Sequence, residues 1–318
     1  MSKPIILVTG AGGQIGTVLT ESLRKRYGRD QIIATDIRPI SQTEGIFEQL
    51  DIMDRDRLGQ LINDYKITQI YHLVAILSAN GEKDPLRTWQ INMDSLFNVL
   101  EAARTNKIDR IFFPSSIAAF GPNAPAFNTP QLSYLDPTTV YGISKVAAEH
   151  WCNYYFTRYN LDIRSVRYPG IISYQSAAGG GTTDYAVDIF HEALENGNFT
   201  CFLKADTKLP MIYMEDAVRA TMELMESPPE KIKIRTSYNL AGLSFTPEEI
   251  AAEIKKHLPD FTIKYDPDFR QAIADSWPAS IDDNTARSDW DWKPEFDLIK
   301  MTKEMLVQLK NKKIQEKA

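Results

Sequence analysis

Tyr141 and Lys145 stand one helical turn apart in the stretch Tyr-Gly-Ile-Ser-Lys, and Ser115 and Ser116 close an apolar run earlier in the chain. Side chains at i and i+4 of a helix project from one face. A free phenol has a pKa near ~10, too high for a base at neutral pH. A neighbouring ammonium favours the phenolate. A serine hydroxyl beside that pair can hold an alcohol oxygen while its proton leaves. Such a trio suits oxidation of a secondary alcohol, provided that something accepts the hydride.

The acceptor's place is written near the start, in Ile5-Ile-Leu-Val-Thr-Gly-Ala-Gly-Gly-Gln-Ile-Gly16. The apolar run reads as a strand, and Val18, Leu19 and Leu23 recur as a helix. Gly10 permits the sharp turn between them, Gly13 lets a pyrophosphate approach the backbone, and Gly16 allows the helix to pack close to the sheet. The free N–H groups of the helix N-terminus then face the phosphates. A second strand, Gln31–Asp36, ends in an acid about 20 residues on, where a carboxylate binds the ribose hydroxyls of NAD and repels a 2′-phosphate. Arg38 could meet such a phosphate, but reads better as a solvated charge. NAD is therefore expected over NADP.

Further candidates leave alternatives open. Asp51, with Ile52, could bind adenine or cap the helix that follows. His72 reads as a satisfied core residue. Ser78 follows the strand Ile70–Ala75, so it faces a ligand or is a solvated loop residue. Asn92 sits near the apolar face of a helix from Pro85 to Asn106, where it needs a polar partner. That face is expected to comprise Leu86, Trp89, Met93, Leu96, Phe97 and Leu100. Thr182 and Thr183 end the glycine-rich run 176–184, as helix caps or as an anion site. Trp277 could cover a small ligand. Trp151, Tyr155 and Tyr159 form a stripe that is core or subunit interface.

The elements that must position these residues alternate β and α through the first half. Strands at Ile111–Ser116 and Asp162–Ile172 continue the pattern, which argues for a parallel sheet with right-handed crossovers. Ligands of such a sheet bind at the carboxyl ends of its strands. A polar loop after Phe120 runs to about Pro137. Met214 opens a later helix, Thr246 to Glu249 is a capping box, and 275–278 and 289–292 read as loops. The expected architecture is α/β, a Rossmann-type doubly wound parallel sheet with a smaller C-terminal α/β lobe. Residues 1–172 form the dinucleotide-binding core, to which later segments return, and 173–318 form mainly the substrate lobe.

The 318 residues, 43% hydrophobic and 25% charged, are enough for both lobes. A net charge of −6 argues against nucleic acid or an anionic membrane. No apolar run is long enough to span a bilayer, and no leader is expected before the first strand. Two cysteines fit a reducing cytoplasm, and four scattered histidines give no metal cluster.

Together, Gly10–Gly16, Asp36, Asp51-Ile52, Ser115–Gly121 and Tyr141-x-x-x-Lys145 resemble the extended short-chain dehydrogenase/reductase family along essentially the whole chain. Within it, Leu77-Ser-Ala, Phe113–Pro122, Arg167-Tyr-Pro-Gly, Gly180–Val187 and Asp275-Ser-Trp-Pro278 resemble its NAD-dependent L-threonine 3-dehydrogenases. Tyr168-Pro-Gly replaces the Asn-x-x-Gly of many relatives, which counts against a nucleotide-sugar substrate. Ala-Phe-Gly121 likewise replaces their Val-Tyr-Gly.

The resemblance implies oxidation of L-threonine to 2-amino-3-oxobutyrate. Tyr141 is then the base, Lys145 its partner and Ser116, in the slot counted back from Gly121, the substrate-holding hydroxyl. Ser115 would point to the other side of the strand. The implied cofactor set comprises Gly10, Ala11, Gly12, Gly13, Gln14 and Ile15, then Asp36, Ile37, Arg38, Asp51 and Ile52, then Leu73, Ala75, Asn92, Tyr141, Lys145 and Ile171. The substrate set adds Ser78, Gly180, Thr182, Thr183 and Trp277, with Gly179 to Gly181 as a closing loop. A homodimer through the aromatic stripe and the Pro85–Asn106 helix is expected. The competing readings are a nucleotide-sugar epimerase or dehydratase, for which Arg235 and Arg287 are available cations, and a non-catalytic NAD-sensing protein.

Overall fold

A computed structural model of the chain describes residues 3–40, 44–175 and 179–316. In chain order, β1 (Ile6–Thr9), α1 (Gln14–Tyr27), β2 (Ile32–Asp36), β3 (Phe47–Gln49), α2 (Arg55–Tyr65) and β4 (Gln69–His72) come first. The short α3 (Ser78–Gly81), α4 (Pro85–Asn106), β5 (Arg110–Ser116), α5 (Val140–Tyr159) and β6 (Ile163–Tyr168) follow. Next are β7 (Gly170–Ile172), α6 (Tyr185–Glu195), β8 (Asn198–Cys201), β9 (Leu209–Tyr213) and α7 (Met214–Glu226). The last are β10 (Tyr238–Asn239), β11 (Leu243–Phe245), α8 (Pro247–Lys255), β12 (Thr262–Tyr265), α9 (Arg270–Asp275), α10 (Asn284–Trp290) and α11 (Leu298–Glu316).

Seven strands form one parallel sheet in the order β10-β6-β5-β4-β1-β2-β3. Its inner strands are apolar because both faces are covered. α1 and α7 pack on one face through Leu19, Leu23, Ala217 and Leu224. α2, α4 and α5 pack on the other through Leu58, Leu96, Val99 and Ala148. The sheet is thus doubly wound as expected. Its strand order reverses between β1 and β4, where ligands of such folds bind. A second core, around Phe190, Tyr213, Phe245 and Met305, holds the smaller lobe together with a three-stranded sheet, β11-β9-β7, and a pair, β12-β8.

Local chemistry sets the helix ends. Asp84 caps α4, with Pro85 in its first turn. Thr139 caps α5 by accepting from Gly142 N at 3.1 Å. Thr246 and Glu249 form the reciprocal box that opens α8.

Several expectations change. The stretch 162–172 is two strands. Pro169 has no N–H for the ladder, and beyond it β7 pairs with β9 of the second sheet. The strand expected over 70–75 ends at His72. Leu86 and Trp89 face outward, 84% and 41% exposed, while Met93, Leu96 and Leu100 are buried. α2 is capped by Asp54, not Asp51. Thr182 and Thr183 cap nothing: α6 starts at Tyr185, and Asp184 occupies the cap position. Asp275 ends α9, while Asp289 and Trp290 belong to α10 rather than to loops. The loop after Phe120 is not all surface, for Thr129 is fully buried and bridges to Ile281.

Candidate functional site

A cavity of about 470 Å³ opens at the carboxyl ends of β1, β4 and β5, between the two lobes. Gly10 turns off β1 with φ of +75°, a left-handed conformation that a side chain would strain. At Gly16 a Cβ would come within 2.2 Å of the Gly10 carbonyl, so only glycine lets α1 lie this close to the turn. Gly13, the residue before α1, makes no side-chain cap bond. The first N–H groups of α1 therefore face the cavity mouth as an anion receptor.

Asp36 ends β2 beside this turn. Its Oδ2 accepts from Gly12 N and its Oδ1 from Arg38 N, both at 3.0 Å, which leaves further acceptor capacity. The Arg38 guanidinium is exposed and 3.8 Å from Asp36. A free helix N-terminus, a glycine turn and an oriented acid at this spacing fit a dinucleotide.

Ser116, Tyr141 and Lys145 lie on β5 and α5. Ser116 ends β5, and its Oγ accepts from Ala118 N at 3.2 Å. Gly142, in the first turn of α5, has no Cβ to meet the Ala118 carbonyl, which would otherwise lie at 2.1 Å. That close approach carries Tyr141 up to Ser116. Tyr141 and Lys145 are 8% and 4% exposed. Lys145 Nζ donates to the Pro114 carbonyl at 2.7 Å and lies 5.3 Å from the centre of the Tyr141 ring. Ser115 points away, its Oγ donating to Glu149 Oε1 at 2.6 Å.

Burial pushes the Tyr141 phenol up to about 12, with the Ser116 hydroxyl pulling the other way. Burial also pulls the Lys145 ammonium down to about 8. The phenol is thus raised rather than lowered as expected: loss of solvation sets the direction, and the lysine's hydrogen bond goes to Pro114.

Gly10, Gly13, Gln14, Ile15, Arg38, Leu73, Ala75, Ser116, Tyr141, Lys145 and Ile171 all line the cavity. So do Ser78, Thr182, Thr183 and Trp277. Ser78 Oγ and Thr182 Oγ1, both buried, meet at 3.2 Å across the two lobes. Ala11, Gly12, Asp36, Ile37, Asp51, Ile52, Asn92 and Gly180 are not among the lining residues. Asp51 is exposed and accepts from Met53 N. Ile52 is buried in the α2–α4 core. Asn92 holds the backbone of Ile76 by two hydrogen bonds and donates to Ser144. The N–H groups of Gly180 and Gly181 both donate to Asp184 Oδ2, at 2.8 and 2.7 Å. Ser176, in the same run, lies outside the described residues.

Sequence reasoning missed Asn80, Leu77 and Asp184 as cavity residues, although the last two fall inside phrases that carried the resemblance. His72 is a core residue, neutral between Thr9 and Ser95, its pKa lowered by burial to about 3. Arg235 and Arg287 are engaged elsewhere, with Asp162 and Asp283. Among the described residues no cluster could hold a metal ion, and no helix is long and apolar enough to cross a membrane.

Residues 6–241 match the NAD dependent epimerase/dehydratase family. An uncharacterized epimerase/dehydratase of Staphylococcus aureus (strain MRSA252) is 47% identical over 96% of this chain and 97% of its own. The holo form of a GalE-like L-threonine dehydrogenase from Cupriavidus necator superposes with a TM-score of 0.95 at 54% identity, covering 96% of this chain and all of that one. A monomeric L-threonine 3-dehydrogenase from a metagenome superposes with a TM-score of 0.94 at 48% identity, over 96% and 99% of the two chains.

Proposed function

Because the chain belongs to the NAD dependent epimerase/dehydratase family, we propose that it oxidises L-threonine to 2-amino-3-oxobutyrate. The convergence of Ser116, Tyr141 and Lys145 at the end of β5, facing Ser78 and Thr182, carries this reading. The threonine dehydrogenases among its structural neighbours support the substrate. Tyr141 takes the proton of the substrate hydroxyl, and Ser116 holds that oxygen. Lys145, when charged, favours the phenolate through space. NAD supplies the hydride acceptor when bound. The glycine turn from Gly10 to Ile15, with Leu73, Ala75 and Ile171, holds the cofactor, and Asp36 takes the ribose hydroxyls. Ser78, Thr182 and Thr183 hold the amino-acid end beneath Trp277.

A nucleotide-sugar pyrophosphate would need several cations in the second wall. Among the described lining residues, the basic side chains are Arg38 and Lys145, both on the cofactor side. The test is NAD reduction followed by absorbance, with L-threonine, serine, 3-hydroxybutyrate and UDP-sugars in parallel. Reduction with L-threonine ahead of the others is expected; reduction with a UDP-sugar alone would replace this reading.

The outer face of α4 and α5 adds a second part to the proposal. Trp89, Trp151, Tyr154 and Tyr159 are all at least 40% exposed there. Trp151 packs edge-on against Phe97 of α4. Such an apolar patch fits pairing with a second copy. A structural neighbour described as monomeric makes the solution mass decisive.

A further inference from the structure

We propose that Glu149 is a positioning residue for the Tyr141–Lys145 pair: with Ser115 and Arg167 it forms a buried strut that fixes α5 against β5 and sets the charge behind Lys145. The inference deepens the reading above and rests on it for the roles of Tyr141 and Lys145.

Tyr141, Lys145 and Glu149 recur every four residues, so they share one face of α5. The Glu149 side chain is fully buried. A carboxylate so placed is costly unless matched by charge and hydrogen bonds. Arg167, on β6, matches it with two parallel bonds, Nε to Oε1 at 2.9 Å and Nη2 to Oε2 at 2.7 Å. Ser115 adds the third, to Oε1. The remaining Arg167 nitrogen, Nη1, donates to the Gln131 carbonyl and to Asn239 Oδ1.

The strut therefore ends on Ser115, the residue before the hydroxyl assigned to the substrate. Its middle member, Glu149, lies one turn of α5 from Lys145. Neighbouring Ala148 and Cys152 already tie α5 to the sheet by apolar packing. Directional hydrogen bonds add what that packing leaves loose, the height and rotation of the helix relative to β5.

The charge argument needs every group facing Lys145. On its own helix these are Tyr141, Glu149 and Cys152; from β4 comes His72; from β5 come the Pro114 carbonyl and the Phe113 ring. His72 is neutral, and burial pushes the Cys152 thiol up, so it stays protonated. Glu149 is the anion of this described set, balanced by Arg167 from β6. Its field opposes the desolvation that pulls Lys145 down. Loss of that negative charge lowers the pKa of Lys145.

The test uses the full chain. A lysine-selective NMR titration without added ligand, with Lys145 assigned by its loss in Lys145→Met, compares the parent with Glu149→Gln. The Lys145 midpoint should move down from near 8 by about one unit. In the same variant kcat for threonine oxidation should fall about tenfold, with KM for NAD within about twofold. A midpoint that stays in place overturns the proposal. Ser115→Ala keeps the ion pair and tests the strut should Glu149→Gln fail to fold. It should lower kcat about fivefold with NADH affinity unchanged, and Ser115→Thr should restore the rate. Parental turnover in Ser115→Ala also overturns the proposal. A parent inert to threonine would instead sink the functional reading, and the NMR midpoints would still decide the charge behind Lys145.

Discussion

The two walls of the cleft are built by different means. The wall of the large sheet is tight: Gly16 and Gly142 admit no Cβ, and Lys145 is tied to Pro114. Asp36 is tied to two backbone N–H groups. The opposite wall hangs on a glycine run, fastened by Asp184 to Gly180 and Gly181 and by Thr182 to Ser78. Gly180 itself has φ of +90°. The difference is one of means: the first wall rests on close backbone approaches, the second on hydrogen bonds that gather a glycine run.

Breaking the rigid wall at its reactive atom should cost most. Tyr141→Phe should lower kcat by about 10²–10⁴-fold with NADH binding intact, read by NAD reduction and by fluorescence titration. Near-parental turnover would remove the phenol from the chemistry.

Next in size is the packing of that wall. Gly16→Ala drives a methyl into the Gly10 carbonyl and should cost about 1–3 kcal/mol or more in denaturant unfolding. Gly181→Ala meets only an Asp184 oxygen, at 3.0 Å, and should cost far less. Equal losses would erase the contrast between the walls.

The pH profile sharpens the same comparison. With the phenol held near 12, its base form grows about tenfold per pH unit below that value. The rate of NAD reduction should therefore climb from about pH 7 and level off above about pH 8, where Lys145 loses the charge that favours the phenolate, while chemistry limits it. A flat profile between about pH 7 and 8 would mean that another step, such as product release, sets the rate.

On that second wall, Thr182→Ala should raise KM for threonine about tenfold and leave kcat within a few fold. A fall in kcat with KM unchanged would move Thr182 to the reacting side. The smallest effect on turnover belongs outside both walls. Trp151→Glu should halve the mass measured by light scattering and change kcat less than about twofold. A parent that already scatters as a monomer removes the dimer.

What could be read from sequence follows the same division. α4 and α5 were legible because their spacing is local: Pro85 ahead of an apolar repeat, and Tyr141 with Lys145 one turn apart. The glycine turn and Asp36 were legible for the same reason. Pro169 hid a change of sheet, because an apolar run on both sides of it reads the same whichever partner strand it finds. Leu86 and Trp89 keep helical spacing yet face outward, since periodicity does not say what covers a face. Asp54, not Asp51, became the cap because both acids satisfy the local pattern and only the start of α2 decides. Glu149 carried no signal, and Arg167 stood out only as the head of Arg167-Tyr-Pro-Gly: they pair across elements, and neither sequence position names the other.

The switch of partner at Pro169 has a consequence for how the molecule can be divided. The backbone leaves the large sheet there, comes back for α7 and β10, departs with β11, returns for α10 and finishes in the small lobe with α11. No single cut separates the lobes: severed at Pro169, the first piece lacks an edge strand and two covering helices. A small lobe borrowed from a relative therefore has to be spliced at several junctions at once.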